Sequence, residues 1–103
     1  MKDRDKKIQE MQMLEQNLQN LLLQKQAFQM ELSETKSALK EIENSGDEVF
    51  KIIGQLMIKT DKAKMKEELS NKERIIELRI KSIEKQETLL AKKLDDLQKE
   101  IDN

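Results

Sequence analysis

Apolar residues recur along this chain at alternating steps of three and four, in two runs of equal length on either side of a short β-branched interval. The first run reads Met11, Leu14, Leu18, Leu21, Lys25, Phe28, Leu32, Thr35, Leu39 and Ile42. The second reads Leu69, Glu73, Ile76, Ile80, Ile83, Glu87, Leu90, Leu94, Leu97 and Ile101. Eight of ten positions are apolar in each run, although only 36% of the chain is hydrophobic. A 3.5-residue apolar repeat held over several heptads lets a helix bury a narrow stripe against another helix. The pattern predicts two long helices that meet along their length, joined by something non-helical.

The first helix is expected within residues 1–44, from about Asp3 to Asn44, and nothing inside it breaks the pattern. Asn44-Ser45-Gly46 supplies the stop, with Gly46 expected to take the left-handed conformation just past the helix end. Some 42 residues at the ideal rise span about 60 Å, which predicts a protruding arm. The interval from Glu48 to Lys59 then changes period and is rich in Val and Ile. Gly54-Gln55 suits a two-residue hairpin loop with Gly first, so residues 48–59 are expected to pair Ile53 with Leu56, Ile52 with Met57, Lys51 with Ile58 and Phe50 with Lys59. Thr60-Asp61 can cap a second helix over residues 61–102. The first turns of that helix carry Lys62, Lys64 and Lys66, which its dipole disfavours; the sequence offers no reason for that cluster.

The two seams also imply a register. Antiparallel pairing of Met11 with Leu97, Leu14 with Leu94, Leu18 with Leu90 and Phe28 with Ile80 keeps partner numbers at a constant sum, with residue 54 as midpoint. Lys25 and Glu87, the charged interruptions, then fall in adjacent layers. Two readings stand. They are defects whose long side chains reach out to water, or a diagonal charge pair that discourages slipped registers at some cost in stability.

Composition narrows the function. Of 103 residues 40% are charged, 20 basic against 21 acidic, with no Trp, Tyr, Pro or Cys and two Phe. That describes one thin domain with solvated flanks and gives no electrostatic case for nucleic acid. No apolar run approaches the roughly 18 residues that cross a bilayer, so no membrane partner is expected. The start leads into no signal-peptide stretch, and the absence of Cys fits a reducing compartment; the cytoplasm is the expected location. Without His or Cys the commonest general base, the thiol nucleophile and the soft-metal ligands are missing. Gly46 and Gly54 are the only glycines, too few for a phosphate-cradling loop. Neither an enzyme nor a cofactor is expected.

Two surfaces remain as candidates for binding. Val49, Phe50, Ile52, Ile53, Leu56, Met57 and Ile58 crowd both faces of the hairpin around Gly54. A lone two-stranded hairpin is marginal in water and has two open edges. Hairpins from several chains are therefore expected to join into a shared sheet or barrel; the alternative is a hairpin folded back on its own helices. The second surface lies where the two termini meet, with Ile8, Met11, Met13, Leu14, Leu18, Leu22, Leu90, Leu94, Leu97 and Ile101 as candidate contacts and Leu23 and Leu89 beside them. Ile8 and Leu22 flank the seam and can simply widen it. Met adapts its shape and suits surfaces that accept many partners.

Three stretches carry a family resemblance: Gln24-Lys25-Gln26 with Glu31 and Ala38-Leu39-Lys40-Glu41-Ile42; Phe50-Lys51 with Gly54 and Leu56-Met57-Ile58-Lys59; and Glu84-Lys85-Gln86-Glu87 with Lys92-Lys93-Leu94. On these the chain resembles β-type subunits of prefoldin, with Phe50 where the family usually has Tyr. A single hairpin points to the β type, since α-type subunits have two. The resemblance implies a hexamer of two α-type and four β-type chains whose hairpins build a central β-barrel. It also implies that unfolded proteins are held between coiled-coil tips and passed to a group II chaperonin without ATP. The expected fold is thus mainly α, an antiparallel two-helix coiled coil with one assembling hairpin. The rival expectation from another class is a structural coiled-coil scaffold that binds no client.

Overall fold

A computed structural model describes residues 2–103. Helix α1 spans Lys2–Glu43, strand β1 Glu48–Ile53, strand β2 Leu56–Asp61 and helix α2 Lys62–Asp102. The chain forms two compact units, Met1–Phe28 with Arg79–Asn103, and Gln29–Leu78. Each contains part of both helices, and the second also contains the hairpin.

The heptad reading is met position by position. Every seam residue from Met11 to Ile42 and from Leu69 to Ile101 is half-buried or buried. Within the first unit Ile80 and Ile83 are the most enclosed; within the second, Ile42 and Ile76. Ile76 is only 2% exposed. Thr35, the polar member of its seam run, is also buried, and its hydroxyl donates to the Glu31 carbonyl at 2.8 Å. That back-bond satisfies a hydroxyl that would otherwise be costly to bury.

Ion pairs fix the direction of the helices in each unit. In the first, Lys7 meets Glu100 at 3.5 Å and Lys25 meets Glu87 at 2.8 Å. In the second, Glu31 meets Lys72 at 3.5 Å and Glu43 meets Lys66. Numbers rise along α1 as they fall along α2, so the helices run antiparallel in both.

The hairpin has the expected register from Phe50↔Lys59 to Ile53↔Leu56, and it extends further, through Val49↔Thr60 to Glu48↔Asp61. Its turn axis falls between Gly54 and Gln55, half a residue from the midpoint inferred from the seams. Gly54 has φ of 59°, while Gln55, like every described non-glycine residue, has no positive φ. Positive φ at the first loop position alone is the pattern of a two-residue turn with Gly first, which matches the twist of the strands.

Two expectations are corrected. Gly46 has no positive φ, so α1 does not end on a left-handed glycine. Its last turn tightens instead, with the Asn44 and Ser45 amides donating to Glu41 and Ile42 carbonyls at 3.1 and 3.0 Å. The Ser45 hydroxyl adds a 2.8 Å bond to the Ile42 carbonyl. Thr60, expected to share the cap of α2, is instead the strand partner of Val49. Asp61 alone performs that role, its Oδ1 accepting from the Lys64 amide at 2.7 Å.

Candidate functional site

The hairpin presents its apolar residues outward. Directly opposed residues share a face, so Val49, Lys51, Ile53, Leu56, Ile58 and Thr60 lie on one side and Phe50, Ile52, Met57 and Lys59 on the other. Val49 is half-buried against the helical part of its unit, where it lines a groove with Ile42, Met65 and Leu69. The other six apolar residues are exposed, Ile52 to 70% and Met57 to 67%. The hairpin has therefore not folded back to hide them. Two ion pairs brace its base: Lys51 to Glu68 of α2 at 2.8 Å, and Lys59 to Glu48 at 3.0 Å across the strands. What remains is a two-stranded sheet with both edges open and both faces apolar toward the loop.

The lysine cluster at the start of α2 now has partners. Lys62 Nζ donates to the Glu43 and Ser45 carbonyls at 3.1 and 3.2 Å, satisfying acceptors that the end of α1 leaves open. Its own amide donates to the Asp47 carbonyl at 3.0 Å, continuing the strand ladder. Lys66 binds Glu43, and that hydrogen bond, aided by the charges of Lys66 and Lys62, holds the Glu43 carboxyl below the usual glutamate range. Lys51 does the same for Glu68, with Lys64 adding to the field. Two of the cations that the α2 dipole disfavours, Lys62 and Lys66, thus tie the end of α1 to α2, while the hairpin is tied to α2 by its own Lys51. Sequence reasoning missed this because the partners of Lys62 lie 17 and 19 positions away and that of Lys66 farther still.

The candidate tip residues fall into two groups within the first unit. Met11, Leu14, Leu18, Leu90, Leu94, Leu97 and Ile101 are half-buried in the seam. Ile8, Met13 and Leu22 are exposed, as are their neighbours Leu23 and Leu89. Ile8 and Leu22, at 38% and 42%, are less exposed than Met13 at 67%, as their seam-flanking positions require. Met30, Ile75 and Leu78 in the second unit are exposed too. Their off-seam heptad positions were the available signal, and sequence reasoning did not use it.

Lys25 and Glu87 form the diagonal pair, both side chains about one-fifth exposed. The hydrogen bond to Glu87 raises the Lys25 pKa, against desolvation, which lowers it. Arg79 lies over the Phe28 ring at 5.6 Å from its centre, a cation–π contact that covers the seam's one aromatic residue. Among the described residues no cluster of carboxylates could hold a metal ion, and no helix is long and apolar enough to cross a membrane.

Two long antiparallel helices bearing one outward-facing apolar hairpin define a class of helical assembly subunits. The prefoldin subunit family matches residues 5–103, and the chain belongs to it. It resembles the β type: it is 45% identical over 89 residues to prefoldin subunit beta of Thermococcus onnurineus, covering 84% of this chain and 77% of the relative. It is 40% identical over 93 residues to prefoldin subunit beta of Sulfurisphaera tokodaii, covering 88% and 74%. The crystal structure of the prefoldin beta subunit from Thermococcus strain KS-1 superposes with a TM-score of 0.90 at 38% identity, over 96% of this chain and 89% of that one. The chain is a prefoldin-type chaperone subunit with a helical coiled-coil fold.

Proposed function

We propose that this chain is an ATP-independent holdase subunit of the cytoplasm. It assembles through its hairpin into a hexamer of two α-type partners and four chains of its own kind. It binds unfolded or nascent polypeptides through the surface of its first unit and releases them to a group II chaperonin. The observation that carries the assembly half is the hairpin, with Phe50, Ile52, Ile53, Leu56, Met57 and Ile58 all exposed. Burying each such side chain is worth roughly 1.5–3 kcal/mol before entropy, and edge-to-edge pairing would also close the open strands. Exposed Met13, Leu22, Leu23 and Leu89 support the client half. Each offers a weak contact that ordering costs largely offset. Several such chains on one platform raise the effective concentration, so weak contacts sum to useful avidity.

The test follows from exposure. Replacing Met13, Leu22, Leu23 and Leu89 by Ser leaves the seam intact, so the variant keeps its helicity and its assembly mass with an α-type partner. Light scattering of a chemically unfolded test protein, diluted with a small excess of the assembly, should show lost protection. Protection undiminished in an intact assembly would overturn the client half of the reading and favour a scaffold.

A further inference from the structure

From Gln16 to Gln24 the chain holds five carboxamides, four leucines and no charge, although 20 basic and 21 acidic residues are spread over its 103. Within the unit of Met1–Phe28 and Arg79–Asn103, Asn17, Asn20 and Gln24 line an open groove with Gln86 of α2, above Leu21 and Leu90. All four carboxamide side chains are exposed. None bonds to another group among the described residues. Asn17, Gln24 and Gln86 occupy the seam-flanking heptad position that in coiled coils commonly carries interhelical ion pairs. In the second unit that same position holds Glu31 and Lys72, which do pair, at 3.5 Å.

A carboxamide offers a donor and an acceptor together, and a peptide unit carries the same two groups. In a folded protein nearly all buried peptide groups are already paired, whereas in an unfolded segment they are free. A groove framed by uncharged carboxamides over leucine therefore favours polypeptide that has lost its structure, whatever its side-chain charge. The length fits: the steps from Asn17 to Gln24 along α1 cover about 10 Å, the span of about three residues of extended chain. We propose that this groove binds an extended segment of non-native polypeptide by its main chain. Asn17, Asn20, Gln24 and Gln86 bond to its N–H and C=O groups, and Leu21 and Leu90 floor the contact. The proposal rests on the holdase reading and gives its client surface a chemistry that the apolar residues alone lack.

The experiment compares two fluorescent peptides of alternating leucine and serine, one with ordinary amide links and one with every second link replaced by an ester. The ester removes an N–H donor and weakens the carbonyl acceptor while preserving shape. Anisotropy titration of the assembled protein should show the amide peptide binding roughly three- to tenfold more tightly. The variant Asn17→Ala/Asn20→Ala/Gln24→Ala/Gln86→Ala changes only exposed helix positions to a better helix former, and circular dichroism checks its helicity. It should bind both peptides alike, with a residual affinity from the leucines. Equal binding by the unaltered protein, or a preference that survives in the variant, overturns the main-chain inference and leaves the holdase reading standing. Binding of neither peptide overturns both.

Discussion

The two glycines do different work, and their substitution separates them. Gly54 sits at φ 59° in the hairpin loop, while Gly46 has no positive φ; around both, a Cβ would meet open space. Space is thus not the issue at either; conformation is. Gly54→Ala should destabilise the chain by about 1–2 kcal/mol, the cost of a left-handed L-residue. Gly46→Ala should stabilise it by about 0.4–1 kcal/mol, through the unfolded chain's lost freedom. Urea denaturation of both variants checks the pair, and equal effects would contradict the loop geometry. Acid should act at the junction between hairpin and helices. Glu43 and Glu68 are held below the usual glutamate range by hydrogen bonds from Lys66 and Lys51. A depressed folded pKa contributes stability that is complete above the unfolded value, near 4.3, and is lost as pH falls through the folded value. Protection factors of the amides around Asp47, Glu48 and Lys62, corrected for the intrinsic slowing of exchange in acid, should therefore fall below about pH 4, and less so in Glu43→Gln, which has no carboxyl to titrate.

At the scale of elements, what the sequence made legible was whatever repeats. A 3.5-residue period shows itself many times over, so seam and helix pairing could be read from it, and its midpoint agreed with the hairpin register that Gly54-Gln55 set. The single-instance features were harder. The end of α1 depends on Lys62, whose ammonium returns from α2 to the Glu43 and Ser45 carbonyls; no local pattern announces such a contact. The asparagine–glutamine stretch was passed over in the sequence, and it borders a groove only because Gln86 of α2 lies beside it. Lys25 and Glu87 lie between these cases: adjacent layers were legible, the 2.8 Å contact was not. The pair makes register a measurable property. Removing one partner leaves the other charge half-buried and unmatched, so Lys25→Leu or Glu87→Leu alone should lower the melting temperature. The double variant should recover it and surpass the unaltered chain, because a well-packed apolar layer often outdoes an ion pair. If the pair also sets register, spin-label distances between α1 and α2 should broaden in the double variant alone. The raised Lys25 pKa adds a sign: this contribution is full below the ordinary lysine value and fades as pH rises through the folded one.

For the whole molecule, the hairpin's exposure and the seam's enclosure have separate consequences. A subunit whose helices are tied by their own seam and ion pairs does not need its hairpin to remain helical. Phe50, Ile52 and Met57 share one face and are all exposed, with Phe50 alone bordering the groove that Ile42 and Leu69 line. Replacing the three by Ser, with Glu48 and Lys59 kept, should leave far-ultraviolet circular dichroism nearly unchanged. Mass measurement of the variant mixed with an α-type partner should then show free subunits where the unaltered chain assembles. On the proposed reading avidity falls with assembly, because weak client contacts add up only when several chains share a platform. Protection of an unfolded test protein should therefore disappear although every residue of the client surface is present. This is the converse of the Met13, Leu22, Leu23 and Leu89 variant, which keeps assembly and loses protection. If the hairpin variant assembled normally, the exposed face would not be the glue between subunits. If it stayed dispersed yet protected clients fully, binding would be a property of single chains, and the platform would serve another purpose.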